Sequence, residues 1–247
     1  MQDFNHIIGH EDIKEHMKNA IAMKKLSHAY IIHGEEGMGK KLIASSFAKT
    51  LQCEVGGTQA CNKCKSCLQF DTNNHPDIIW VKHEKASIGV DDIRSQVNAD
   101  IKIKQYNSRY KINIIEDADK ITEKAQNDLL KTMEEPPAYA ILMLLTKSIS
   151  MMLPTILSRS IVLNLKPVDK LKIAEFLMDN YQVPDYLAMM AAQFSGGNVG
   201  KAIKYASSDE FAKMKEDITH ILKYIDDMEL YELISGLKSL SLSKNNI

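Results

Sequence analysis

Hydrophobic positions fall into two patterns along the chain. Five short, near-continuous apolar runs are Tyr30-Ile31-Ile32, Ile78-Ile79-Trp80-Val81, Ile112-Asn113-Ile114-Ile115, Ile141 to Leu145, and Ile161-Val162-Leu163. They read as strands buried on both faces, as in a parallel sheet covered by helices. Between them, apolar residues recur at helical spacing: Ile13, Met17, Ala20 and Ile21; Ala44, Phe47, Ala48 and Leu51; Val90, Ile93 and Val97; Ala125, Leu129 and Met133. Thr122 is placed to cap the last of these, with Glu123 in its first turn, and Pro136-Pro137 ends it because neither residue donates to the ladder. Alternating strands and helices predict an α/β domain over residues 1–166. After Pro167 only helical periods remain, near 169–180, 185–194, 198–206, 209–225 and 228–240, with Gly196-Gly197 parting the second from the third. The first three predict a small helical domain over 167–207, and the last two the start of another over 208–247.

Composition narrows the class. The 247 residues are 45% hydrophobic and 26% charged, with a net charge of −1, so no global basic field advertises nucleic acid. The longest apolar run, Ala140 to Leu145, is far short of the roughly 20 residues of a membrane span. The opening Met-Gln-Asp-Phe-Asn-His lacks the charged and apolar regions of a signal peptide. A cytoplasmic protein with no membrane partner is expected. Of 31 basic side chains only three are arginines, Arg94, Arg109 and Arg159.

The segment His33-Gly34-Glu35-Glu36-Gly37-Met38-Gly39-Lys40-Lys41 follows a strand and opens a helix. It fits the phosphate-loop pattern GxxxxGK[ST] at every position but the last. Gly34, Gly37 and Gly39 would let backbone N–H groups turn around phosphate oxygens, and Lys40 would reach the outer phosphates. The final hydroxyl, which should hold Mg²⁺, is replaced by Lys41, and a cation cannot ligate a metal. Glu35 and Glu36 add negative charge, each worth roughly 3 kcal/mol of repulsion toward a phosphate at about 6 Å and a dielectric of about 20. After the third strand comes Glu116-Asp117, the reverse of the Asp-Glu order that holds Mg²⁺ and polarises water. Each carboxylate is one methylene off its role, and catalysis is sensitive to displacements of about 1 Å. The loop is expected to persist as a structural turn rather than an active ATP or ADP site.

All four cysteines lie in Cys53-x7-Cys61-x2-Cys64-x2-Cys67. Four thiolates at this spacing suit tetrahedral Zn²⁺, and disulfides are disfavoured in a reducing compartment. A structural zinc is expected, with His75 a poor spare ligand. Arg159, read alone, is a surface arginine paired with a carboxylate.

Leu26-Ser27-His28-Ala29-Tyr30, Ile115-Glu116-Asp117-Ala118-Asp119, the run Asn127 to Pro137 (NDLLKTMEEPP) and Thr155-Ile156-Leu157-Ser158-Arg159-Ser160 occur in this order. Together they resemble the AAA+ subunits of the bacterial sliding-clamp loader over about residues 5–205, and within them the delta-prime type. The resemblance implies an AAA+ phosphate-loop domain with a parallel sheet and a zinc-binding insertion, then a helical lid domain and the start of a helical collar domain. It implies a subunit of the DNA polymerase III holoenzyme that hydrolyses no ATP itself. Its partners would be the gamma/tau and delta subunits, with the sliding clamp and primer-template DNA reached through the complex. Thr146 would hold the sensor-1 position, and Gly200 stands where an active subunit's sensor-2 arginine would fall. Arg159 would be an arginine finger for the ATP site of the neighbouring gamma/tau subunit. Ile8-Gly9-His10 resembles the segment that borders the nucleotide base. Two other readings are an active gamma/tau-type ATPase and an unrelated phosphate-loop nucleotide kinase with a zinc lid. Family members continue through a full collar, which here would barely have begun by Ile247.

Overall fold

A computed structural model describes residues 3–83, 85–106, 108–208, 219 and 223–224. The five apolar runs become strands β1 (Ala29–His33), β2 (Ile78–Val81), β3 (Lys111–Ile115), β4 (Ala140–Thr146) and β5 (Ile161–Asn164). They form one sheet in the order β2-β3-β4-β1-β5, and every pairing is parallel. Parallel neighbours need crossovers, and helices supply them. These are α1 (Glu11–Ala22), α2 (Lys40–Gln52), α3 (Lys65–Asp71), α4 (Val90–Ile93), α5 (Ala99–Ile101), α6 (Glu123–Glu134) and α7 (Pro154–Leu157). A π-helical turn, Arg94–Asn98, joins α4 to α5.

Side-chain alternation along the strands splits the core in two. Tyr30, Ile32, Ile112, Ile114, Met143 and Leu145 face one side, against Met17 of α1 and Ile43, Phe47 and Leu51 of α2. Ile31, Ile115, Leu142 and Leu144 face the other, against Ile93, Val97, Leu129 and Ile156. Both faces are dry, which explains why the strand sequences are apolar almost throughout. The Tyr30 and Phe47 rings meet edge to face at 5.2 Å. Thr122 caps α6 as its sequence predicts, its side chain accepting the Ala125 N–H. The helix stops before Pro136-Pro137.

The chain divides into two units, residues 1–169 and 170–247. In the second, α8 (Lys170–Tyr181), α9 (Asp185–Phe194) and α10 (Val199–Ala206) pack through Ile173, Leu177, Ala188, Ala191 and Ala202. Gly196 and Gly197 have φ of +60° and +85°, so the turn between α9 and α10 needs residues without a Cβ. The collar segment expected over 208–247, with its helices at 209–225 and 228–240, lies outside the described residues apart from 208, 219 and 223–224. No helix of the described residues is long and apolar enough to cross a membrane.

Candidate nucleotide loop, arginine finger and metal centre

The loop after β1 has the backbone its sequence calls for. Gly37 and Gly39 have φ of +84° and +92°, conformations that a Cβ would strain. Gly34 is needed for a different reason: a Cβ there would come within 3.0 Å of the Leu165 side chain. The loop opens onto α2, a helix buried nearly all round from Ile43 to Gln52. Gly37, Gly39, Lys40, Lys41, Glu116 and Asp117 line one cavity of about 550 Å³. Gly34 and Thr146 are outside its lining and are tied to each other, Gly34 N–H donating to the Thr146 carbonyl at 3.2 Å.

Every lysine on this cavity has a partner. Lys40 Nζ turns back and donates to the Gly34 and Glu35 carbonyls at 2.6 and 2.8 Å. Burial, and then the nearby Lys147 charge, hold its pKa below the usual lysine range. Lys147 Nζ lies 2.8 Å from Glu36 Oε2, and each holds the other in its charged form. The repulsion expected from Glu36 is thereby offset, a correction to the sequence estimate. Lys41 Nζ sits 2.6 Å from Glu116 Oε1 and 5.0 Å from the centre of the Trp80 ring. A divalent ion would have to displace Lys41 from Glu116, and Lys41 offers no ligand atom where the pattern has a metal-ligating hydroxyl. The residues present therefore do not fit a metal–nucleotide complex.

The rest of the acidic motif is also engaged. Asp117 bonds Lys120 at 2.7 Å, and that bond holds its carboxyl below the usual range. Asp117 adopts left-handed backbone, with φ of +49°. Asp119 accepts the Lys147 N–H at 2.9 Å and the Thr146 hydroxyl at 3.3 Å. Sequence reasoning missed Lys147, Trp80 and Asp119. The signals were present: Lys147 adjoins Thr146, Asp119 lies in the quoted acidic run, and Trp80 is the only tryptophan. His10, on the segment Ile8-Gly9-His10, places Nε2 3.2 Å from the Met38 carbonyl, and burial lowers its pKa. Gly200 is the second residue of α10.

Arg159 follows α7 on an exposed turn. Its Nη2 lies 3.2 Å from Glu134 Oε1, and its Nη1 donates to the Thr155 carbonyl at 3.2 Å. Both side chains of that ion pair are exposed, at 39% and 53%.

The cysteines converge from three places. Cys53 ends α2, Cys64 caps α3, Cys67 lies in the first turn of α3, and Cys61 lies in the loop between the two helices. Their four Sγ atoms lie within 4.8 Å of one another. A tetrahedron with metal–sulfur bonds of about 2.3 Å has edges near 3.8 Å. Cys61 and Cys67 Sγ stand 4.0 Å apart, close to that edge and about twice a disulfide length. Backbone N–H groups of Cys61, Cys64 and Cys67 point at the sulfurs of Cys53, Cys61 and Cys64. N–H donation from Lys63, then Cys64, pulls the Cys61 thiol down to about 6, whereas burial pushes the Cys67 thiol up. The chemistry of the donor set fits a metal ion. His75 is spent elsewhere, with Nε2 3.0 Å from Ser66 Oγ and Nδ1 accepting the Asp77 N–H. Sequence reasoning also missed α3, which carries two of the cysteines at its start.

Comparison with known proteins agrees with this architecture. The family model described as DNA polymerase III, delta subunit, matches residues 9–169. The Bacillus subtilis DNA polymerase III subunit delta' is 31% identical over 220 residues, covering 89% of this chain and 63% of that protein. The Haemophilus influenzae DNA polymerase III subunit tau/gamma is 33% identical over 175 residues, 70% of this chain and 25% of that one. The chain thus spans less than two thirds of the length of these relatives. Among solved structures, the Thermotoga maritima RuvB Holliday junction branch migration motor superposes with a TM-score of 0.59 over 98% of this chain and 72% of that one. At 16% identity this bears on the fold alone, which is AAA+. With the model covering most of the sheet-bearing unit, the chain belongs to the DNA polymerase III delta subunit family.

Proposed function

We propose that this chain is a non-hydrolysing, delta-prime-type subunit of the DNA polymerase III clamp loader, acting in the cytoplasm during DNA replication. It serves as a scaffold beside gamma/tau and delta subunits and meets the sliding clamp and primer-template DNA through the complex. It contributes Arg159 in trans to the ATP site of the adjacent gamma/tau subunit. The observation that carries this reading is the state of Arg159. Its guanidinium is exposed and held by one exposed carboxylate and one carbonyl. Such a pair is worth about 0–1 kcal/mol. An arginine finger is worth roughly 10³–10⁵ in rate, or about 4–7 kcal/mol of barrier. Releasing Glu134 therefore costs little against the barrier reduction at stake. Lys41 in place of the metal-ligating hydroxyl supports the non-hydrolysing half of the reading.

Cys53, Cys61, Cys64 and Cys67 would hold one Zn²⁺ as a closed four-sulfur site, which supplies structure and has no open position for substrate. The arginine is tested by reconstituting the loader with Arg159→Ala. The variant is expected to fold normally and to lose the ATP turnover and clamp loading that depend on the site it faces. Unchanged rates at saturating DNA and clamp would refute the assignment. The rival reading, an active gamma/tau-type ATPase, draws on the tau/gamma relatives and requires ATP turnover by this chain alone.

A further inference from the structure

The AAA+ fold implies a nucleotide held with a divalent cation, and the residues of this site do not fit one. We propose that the Lys41 ammonium is a built-in substitute for that cation, and that this single residue bars the site to metal–nucleotide complexes. The inference rests on the non-hydrolysing reading and supplies its cause.

Phosphate loops place a Ser or Thr hydroxyl at the second residue of the helix, where it and a carboxylate after the acidic strand serve the same Mg²⁺. Here the second residue of α2 is Lys41, and the first residue after β3 is Glu116. The two side chains meet directly, Nζ to Oε1 at 2.6 Å. The positive charge that a metal would bring between loop and strand end is already there, covalently attached. It is also fixed from a second direction. Trp80, on the edge strand β2, places its ring 5.0 Å from Nζ, within cation–π range. The charges lining the cavity balance as they stand: Lys40, Lys41 and Lys147 against Glu36, Glu116 and Asp117. A metal entering would have to displace Lys41 from Glu116, and Lys41 offers no ligand atom in return. The other parts of a nucleotide cradle remain, in the positive-φ glycines and Lys40. The loop's own departure from the pattern lies at Lys41, and the position is open to test, because Lys41 is an exposed side chain whose replacement leaves the core untouched.

The experiment is calorimetric titration of the 247-residue chain with a non-hydrolysable ATP analogue, with Mg²⁺ and in buffer without added divalent cation. Three proteins are compared: the natural chain, Lys41→Thr and Lys41→Met. Lys41→Thr restores the hydroxyl, whereas Lys41→Met removes the charge and supplies no ligand. Lys41→Thr is expected to gain at least tenfold in affinity on addition of Mg²⁺. The natural chain and Lys41→Met should show no such Mg²⁺ dependence. Mg²⁺-dependent binding by the natural chain, an equal gain in Lys41→Met, or no gain in Lys41→Thr would each overturn the proposal. With the natural chain still inert toward ATP, the last two results leave the non-hydrolysing reading standing. Steady ATP turnover by the natural chain would remove that reading, and this inference with it.

Discussion

Removing the partner of Lys49 should destabilise the protein out of proportion to one surface carboxylate. Lys49 lies on α2, its side chain wholly buried, and its Nζ sits between the two oxygens of Asp71 at 2.7 and 2.9 Å. Asp71 ends α3, the helix that carries Cys67, so this bond fastens the cysteine segment to the helix of the phosphate loop. In Asp71→Ala the ammonium stays in place with no anion, and the Phe70 ring, 6.0 Å from Nζ, is a weak substitute. Breaking a buried pair in this way costs about 3–5 kcal/mol. Asp71 is one-third exposed, so water entering behind it reduces the penalty, and a loss of about 2–3 kcal/mol is expected. For a domain of this size that lowers Tm by roughly 4–12 °C. The double variant Lys49→Met/Asp71→Ala should recover most of the loss, because an apolar chain of similar length replaces the stranded charge. Denaturant unfolding followed by circular dichroism, with thermal melts alongside, measures both variants. A single-variant loss under about 1 kcal/mol, or a double variant no more stable than the single, would refute the reasoning.

The metal centre predicts one zinc per chain as purified, with Cys67→Ser lowering the metal content and exposing residues 53–71 to protease; a native protein with no metal and four titratable thiols would contradict it. Asp128 accepts from Arg94 Nε and Nη2 at 3.1 Å each and from Asn98 at 3.0 Å, and the Arg94 bond holds its carboxyl below the ordinary value. Its contribution is therefore full above the unfolded pKa of about 3.9 and is lost as pH falls through the lower folded value, so Asp128→Asn should remove that part of the acid-limb slope in a stability–pH curve, and identical slopes would count against it.

The strands were legible because burial on both faces leaves no polar alternation to misread. Each apolar run from Tyr30 to Leu163 lies inside an observed strand, and differences are confined to end residues such as His33 and Asn164. Helix α3 was not legible. Only Ser66, Cys67 and Phe70 of its seven residues are buried, and its cap is the Cys64 sulfur rather than a common capping oxygen. The π turn at Arg94–Asn98 has the same apolar spacing as an ordinary helix, so Ile93 and Val97 could not betray it.

At the nucleotide loop, spacing reveals the glycines and Lys40 but not their surroundings, which the sheet order supplies. Lys147 stands 111 positions from Glu36, and β4 lies beside β1 only after folding. Trp80 is paired with Ile114, two residues before Glu116, so the register of β2 on β3 brings its ring to Lys41. The sequence motif therefore treats Lys41 and Glu116 as two separate losses, whereas the fold joins them. Glutamate reaches one methylene farther than the expected aspartate, and lysine reaches far beyond the expected hydroxyl. Two departures that lengthen side chains and carry opposite charge thus meet at 2.6 Å, one ion pair where the phosphate-loop pattern has two ligands of a metal.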